Sequence, residues 1–329
     1  YRCLDCFGNY ILCPSCIKRA HLPYGDPFHR IEKLIRVANN ESYFERSALS
    51  DPEIGGALYC GHGGKPCPFH SHQQSSIVRI LDANGIFIYR VFQCICAPLD
   101  YPNGIPLAIQ FLQMALFPAT YEKVQTAFTF KVLKLAQLHR FSGKESVWDF
   151  YTVMRRWTNN IDPKAVPDLY PQFRKVLQLW GTIRLVKRSG YLELAVARGG
   201  LVVRCPTCPT PGMNIPDDWK NDPLARLKYS CMMSIDGNFH LQRNNKGVRK
   251  DFPLTGNAGF WVDDGELAEY IDGKGARAAR SSCHSFKAGD PSRWVQKSGK
   301  AVSGVVMVSC ARHSFIQPNG TVDLDKGER

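Results

Sequence analysis

The first 29 residues, YRCLDCFGNYILCPSCIKRAHLPYGDPFH (Tyr1–His29), decide how the rest of the chain is read. They hold two Cys-x-x-Cys pairs, Cys3/Cys6 and Cys13/Cys16, followed by His21 and His29. A two-residue spacer lets both thiolates of a pair turn onto one tetrahedral ion, so such pairs beside histidine point to zinc. Buried thiols in a small hairpin, or a redox pair, are the competing readings. A segment this short has too little core to fold without metal. The full chain has 13 Cys in 329 residues, an odd number and too sparse for a secreted disulfide scaffold.

Six ligands do not divide into two four-ligand sites. The segment is similar to B-box cross-brace modules, in which alternate ligand pairs share a metal. That resemblance implies one zinc on Cys3, Cys6, His21 and His29, and it leaves Cys13 and Cys16 to partners preceding Tyr1. The chain is therefore read as an excerpt of a longer protein. Downstream, CGHGGKPCPFHSH carries Cys60, His62, Cys67, His70 and His72 in a Gly/Pro-rich loop, either a zinc site or merely exposed histidines. Cys94-x-Cys96 and Cys205-x-x-Cys208 are two further thiolate clips, expected to share one zinc and staple the β-rich region to the C-terminal one. Cys231, in an apolar run, reads as core. Cys283, His284, Cys310 and His313 form a fourth candidate group.

The chain carries 42 Lys and Arg against 29 Asp and Glu, a net charge of +13, which favours polyanionic partners. Residues 121–190 hold 13 basic against 5 acidic side chains, so helices there are candidates to lie along a phosphate backbone. The best apolar run, Ile105 to Ala119, is broken by Gln110 and Gln113 and falls short of a membrane span. With no basic-plus-apolar leader, the expectation is a soluble, non-secreted protein. SIVRILDANGIFIYRVF reads as a β-hairpin about Asn84-Gly85. The middle third reads as helical. Val124, Phe128, Val132, Leu135 and Leu138 mark one helix face, with Lys123, Lys131 and Lys134 away from it. Ser142 and Glu145 read as a capping box before a helix burying Val147, Phe150, Met154 and Trp157. A third helix from Pro171 buries Phe173, Val176, Leu177 and Trp180. From Leu201 the chain turns Pro- and Gly-rich. LKYSCMMSIDGNFHLQR follows, read as a strand, a turn at Asp236 and a second strand; AVSGVVMVSCARH and SFIQPNGTVDL add strands of an antiparallel sheet.

Taken in order, the CxxC pairs, GHGGKPCP, the hairpin ending in CxC, FPATYEKVQTAFTFKVL, DFYTVMRRWTNN, CPTCPTPGMNIP, SIDGNFHLQR, SCARHSF and PNGTVDLDKGER resemble the Kyakuja–Dileera–Zisupton (KDZ) DNA transposases with their CxC-type cysteine cluster. The resemblance implies a cut-and-paste enzyme with an RNase H-like core and an acidic triad. In that chemistry carboxylates hold two divalent ions, Mg²⁺ or Mn²⁺, that activate the nucleophile and stabilise the leaving oxygen. Asp236 matches the family's first acid; the alternative is a turn dipeptide with Gly237. The second and third acids lie beyond the KGER block. Asp263, Asp264, Glu266, Asp323 and Asp325 do not match them. Around Cys283 the family's downstream histidine is replaced by Phe286.

The expected organisation is α+β: a B-box-like zinc-binding cluster at 1–32 and a β-rich connecting region with the CxC at 33–105. A basic helical region at 106–200 follows, and then the first part of an RNase H-like domain at 201–329. The expected function is part of a zinc-stabilised DNA transposase acting on transposon ends and target DNA, able to self-associate, without a membrane or small-molecule partner, and resident in the nucleus. A non-enzymatic zinc-binding module derived from a transposon is the alternative. A zinc-finger ubiquitin ligase is a weaker one, since it needs a RING motif upstream.

Overall fold

The computed structural model describes residues 1–37, 41–69, 74–191, 196–245, 254–274 and 299–324. Among them helices and strands mix in two units, Tyr1–Gly181 and Thr182–Arg329, so the class is α+β.

The first unit begins with β1 (Arg2–Cys3), α1 (Pro14–His21), β2 (Ile31–Arg36) and β3 (Ser42–Ser47). Its three strands form an antiparallel sheet in the order β1-β2-β3. Strands β2 and β3 thus fall at the start of the region read as β-rich and connecting. The run IEKLIR lacks the strict alternation that signals a half-buried strand, and so its pairing is invisible in sequence. Then come β4 (Leu58–Tyr59), β5 (Ser75–Asp82), β6 (Gly85–Phe92), α2 (Leu107–Gln113), β7 (Leu116–Pro118) and β8 (Thr126–Thr129), whose strands make a mixed sheet ordered β4-β6-β5-β8-β7. The hairpin forms where the sequence places it, with Ala83 and Asn84 between paired Asp82 and Gly85. Gly85 has φ +125°, and a Cβ there would meet Thr158 Oγ1 at 2.8 Å. Backbone and packing both require glycine.

Helices α3 (Phe130–Ser142), α4 (Val147–Thr158) and α5 (Tyr170–Arg188) follow, and the division between units falls within α5. Leu81, Ile86 and Phe128 of the sheet share a core with Val132, Leu133, Phe150, Tyr151 and Phe173 of the helices. On the hairpin's other face Val78, Ile80, Phe87 and Tyr89 join Ile17, Phe28 and Ile31, the alternation expected of a sheet buried on both sides.

Three helical details differ from expectation. Val124 and Phe128 precede α3, because Thr126–Thr129 is a strand and Thr129 is the cap that accepts from the Val132 N–H. The buried face of α3 is therefore Val132, Leu133 and Ala136, and Leu138 is exposed. Ser142 ends α3 and does not cap α4. Ser146 does that, accepting from the Asp149 N–H at 3.1 Å and donating to its carboxylate at 2.6 Å. Trp157 is half exposed, whereas Phe173, Val176 and Leu177 of α5 are buried as expected.

The second unit contains α6 (Ala225–Lys228), β9 (Met233–Asn238), β10 (Arg243–Asn244), α7 (Asp264–Lys274), β11 (Lys300–Val302), β12 (Gly304–Cys310) and β13 (Ile316–Leu324). Strand β12 lies between β9 and β13, antiparallel to both, and β10 pairs with β11. Asp236-Gly237 is not a turn: β9 runs through it, with Asp236 opposite Met307 and Gly237 opposite Val306. Cys231 precedes β9 and is exposed, not core. Among the described residues no helix is long and apolar enough to cross a membrane.

Candidate metal centres

Three groups of Cys and His bring their ligand atoms within 4.8 Å of one another. The first comprises Cys3, Cys6, His21 and His29. Pairing of β1 with β2 sets Cys3 opposite Ile31, which carries the His29 end of the chain back to the Cys3–Cys6 turn. Cys6 Sγ lies 3.3 Å from both His21 Nε2 and His29 Nδ1, and Cys3 Sγ lies 3.5 Å from His29 Nδ1. His21, buried at the end of α1, donates from Nδ1 to the Ile17 carbonyl at 2.8 Å. A carbonyl can only accept, so the Nε2 lone pair is left facing the thiols, the arrangement a metal-binding histidine needs. Cys13 and Cys16 stand outside this group. Cys13 occupies the N-cap position of α1 without a side-chain capping bond, its sulfur lying 3.2 Å from Ser15 Oγ, and Cys16 accepts a long contact from Arg19 at 3.8 Å.

The second group is His62, Cys67, Cys94 and Cys96. Its cause is the parallel pairing of β4 with β6, Tyr59 beside Phe92, continued by the Cys60 N–H to the Phe92 carbonyl at 2.9 Å. The segments that leave the two strands therefore run side by side. Gly61 has φ +71°, and a Cβ on it would sit 3.2 Å from that of Cys94. His62 Nε2 is 3.3 Å from Cys94 Sγ and 3.4 Å from Cys96 Sγ, and the Cys67 and Cys96 sulfurs are 3.8 Å apart. Cys60 is fully buried, and that burial pushes its thiol up to about 12. His70 and His72 lie outside the described residues.

The third group is Cys205, Cys208 and Cys310. Cys208 and Cys310 sulfurs are 3.4 Å apart, and His313 Nδ1 stands 3.4 Å from Cys205 Sγ and 3.7 Å from Cys310 Sγ, in position to be a fourth ligand. The expected sharing of one ion by Cys94/Cys96 and Cys205/Cys208 is thereby replaced: each clip closes with partners of its own unit. Cys310 and His313 stand beside Cys205 and Cys208, and Cys283 and His284, expected to join them, lie outside the described residues.

The electrostatics of the three groups are alike. Burial alone would raise the Cys3 thiol, but hydrogen bonds from the His21 ring in its protonated form, the Asp5 and Cys6 amides and the Cys6 thiol bring it down to about 6, and the same contact raises His21. Desolvation and the neighbouring Cys3 push Cys6 up to about 11. Cys67 falls to about 6 because backbone donors at Ile95 and Phe69, with Cys96 and His62, outweigh its desolvation. Contact with Cys94 and desolvation drive Cys96 to about 11. The Thr207 hydroxyl leads the lowering of Cys205 to about 6, and contact with Cys310 the rise of Cys208 to about 12. Cys310 is lowered as well, first by the Arg312 amide, so each group holds at least one thiol that ionises readily beside one that resists. A divalent cation between the sulfurs removes that resistance, so all three donor sets could hold a metal such as zinc.

The second group has a built support. Gln110 of α2, 2% exposed, accepts from the Cys94 N–H and donates to the Cys94 carbonyl, both at 2.8 Å, and also donates to the Ile105 carbonyl at 2.6 Å. This glutamine, legible in sequence only as an interruption of an apolar run, clamps the backbone that carries the CxC. Gln110→Ala leaves a buried amide and carbonyls unpaired as well as a void. It is expected to destabilise the first unit by about 2–4 kcal/mol in denaturant unfolding.

Asp236 is exposed on β9 and accepts from the Gly237 N–H at 2.9 Å. Among the described residues it joins none of the metal-ligand groups.

Two units, each closing Cys/His groups of zinc-site type on its own strands, define a cysteine-cluster protein. Residues 52–162 match the family model of the CxC2 like cysteine cluster associated with KDZ transposases, and residues 229–329 match that of the Kyakuja-Dileera-Zisupton transposase. The two matches support recognition of the chain as KDZ-related. No curated protein and no solved structure matches it.

Proposed function

We propose that the chain is part of a zinc-stabilised DNA transposase, acting in the nucleus on transposon ends and target DNA, in which Asp236 is one carboxylate of a two-ion phosphodiester-cleaving centre. The observation that carries the reading is the order of the two family matches on one chain, cysteine cluster first and transposase segment after it. In support, Asp236 lies on the first strand of a three-strand antiparallel meander, where the resemblance to RNase H-like cores puts the first acid. Zinc in the three Cys/His groups would be structural. Mg²⁺ or Mn²⁺ would be catalytic, activating the attacking oxygen and stabilising the leaving one.

In a protein that joins this chain to the acids implied to follow, Asp236→Asn is expected to lower Mg²⁺- or Mn²⁺-dependent cleavage on the order of 10³-fold or more. Zinc content and DNA affinity should be unchanged. Cleavage indifferent to Asp236→Asn would sink the catalytic assignment and leave the zinc-binding module derived from a transposon as the better reading.

A further inference from the structure

The face of the β5–β6 hairpin that meets the helices is only half covered. At its turn end Leu81 and Ile86 are buried among helical residues, but farther along Ile77, Arg79, Ile88 and Arg90 are exposed. The register sets Ile77 opposite Arg90 and Arg79 opposite Ile88. The two arginines therefore stand on a diagonal, roughly 7–8 Å apart, beside two aliphatic side chains. Arg46 of β3 lines one groove with Ile88, Thr158 and Asn159, bringing a third guanidinium to the same face.

These three cations are uncommitted. Elsewhere in the unit Arg2 is held by Glu32, Arg30 by Asp5 and Arg155 by the Pro163 carbonyl. Among the described residues no carboxylate lies within ion-pair distance of Arg46, Arg79 or Arg90. Neighbouring like charges on a sheet cost stability, so folding gains nothing from this placement. A guanidinium fork matches a phosphate, and exposed isoleucines between the forks offer apolar contact to sugars. The basic helices are a poorer fit than their charge suggests. Lys131 of α3 is already within 3.8 Å of Asp26 and Asp82.

We propose that Arg46, Arg79 and Arg90, with Ile77 and Ile88, form a seat for the phosphate backbone of duplex DNA. This rests on the transposase reading above and adds the surface that the DNA meets. Such contacts position the duplex and carry no sequence preference.

The test is fluorescence anisotropy of the 329-residue chain on a short duplex of arbitrary sequence across a salt series. The triple variant Arg46→Gln/Arg79→Gln/Arg90→Gln is expected to bind at least about tenfold more weakly at low salt, with the slope of log affinity against log salt shallower by about 3. Lys123→Gln/Lys134→Gln is expected to leave that slope unchanged. Thermal melting and metal content serve as fold controls. If the triple variant misfolds, Arg79→Gln and Arg90→Gln are measured singly, each expected to lose about one unit of slope. A triple variant, or both single variants, with the wild-type slope would overturn the surface assignment alone. A wild-type chain that fails to bind duplex at low salt would overturn the transposase reading along with it.

Discussion

Cys6→Ser/His21→Ala is expected to release one metal ion per chain and to strip hydrogen-exchange protection from residues 1–30. Strands β5 and β6 should stay protected. The reason is where the stabilising contacts lie. Cys6 Sγ reaches both histidines, and His21 is the buried ligand oriented by Ile17. Without an ion, the segment is tied to the β5–β6 hairpin by a few apolar contacts, Phe28 through ring contacts to Phe87 and Tyr89 at 5.7 and 6.1 Å, and by hydrogen bonds from Tyr89 and Asn84 to the Pro27 and Phe28 carbonyls. Structural zinc contributes on the order of 10 kcal/mol in small modules. A few apolar side chains contribute about 1.5–3 kcal/mol each, against backbone ordering of about 1–2 kcal/mol per residue. Metal analysis by mass spectrometry and exchange at residue resolution measure both halves. A variant that keeps its protection after losing the ion would show that packing alone holds the segment.

What could be read in the sequence divides along physical lines. The hairpin at 75–92 was legible because two runs of β-branched and aromatic residues about an Asn-Gly dipeptide are local signals. The core of α5 was legible for the same reason, as Phe173, Val176, Leu177 and Trp180 keep helical spacing. The strand β8 was not, because its apolar residues continue the period of α3 and only the Thr129 cap marks the change. Strand β9 misled in the opposite sense. Asp-Gly is a turn dipeptide by composition, yet pairing with β12 holds it extended.

The metal groups follow the same division. A thiolate clip is a local feature and announces itself by its spacer; its partner is chosen by topology. The two-residue strand β4 is too short to leave a sequence signal, and it is what carries the GHGGKPC loop to the CxC. In the second unit, Cys310-Ala-Arg-His313 repeats the two-residue spacer of Cys205-x-x-Cys208, and that symmetry was the available cue. Only strand β12, ending at Cys310, brings the two clips together across about a hundred residues of chain.

Metal counting across two double variants separates the two pairings outright. The wild-type chain should bind three ions, one for each group. Cys94→Ser/Cys96→Ser should bind two, and so should Cys205→Ser/Cys208→Ser, since each removes half the ligands of a different site. All four substitutions together should leave one, because losses at independent sites add. Had the two clips shared an ion, either double variant would remove it and the quadruple variant would lose no more. Additivity therefore carries the conclusion whatever the absolute occupancy. Each double variant should also loosen a different region. Loss of the His62 group should expose the buried Cys60 thiol to alkylation. Loss of the Cys205 group should free the turn at 205–208 from the end of β12, leaving the hairpin of the first unit untouched. A quadruple variant that still retains two ions, or a Cys94/Cys96 variant that releases the turn at 205–208, would show that the two units do not close their sites separately.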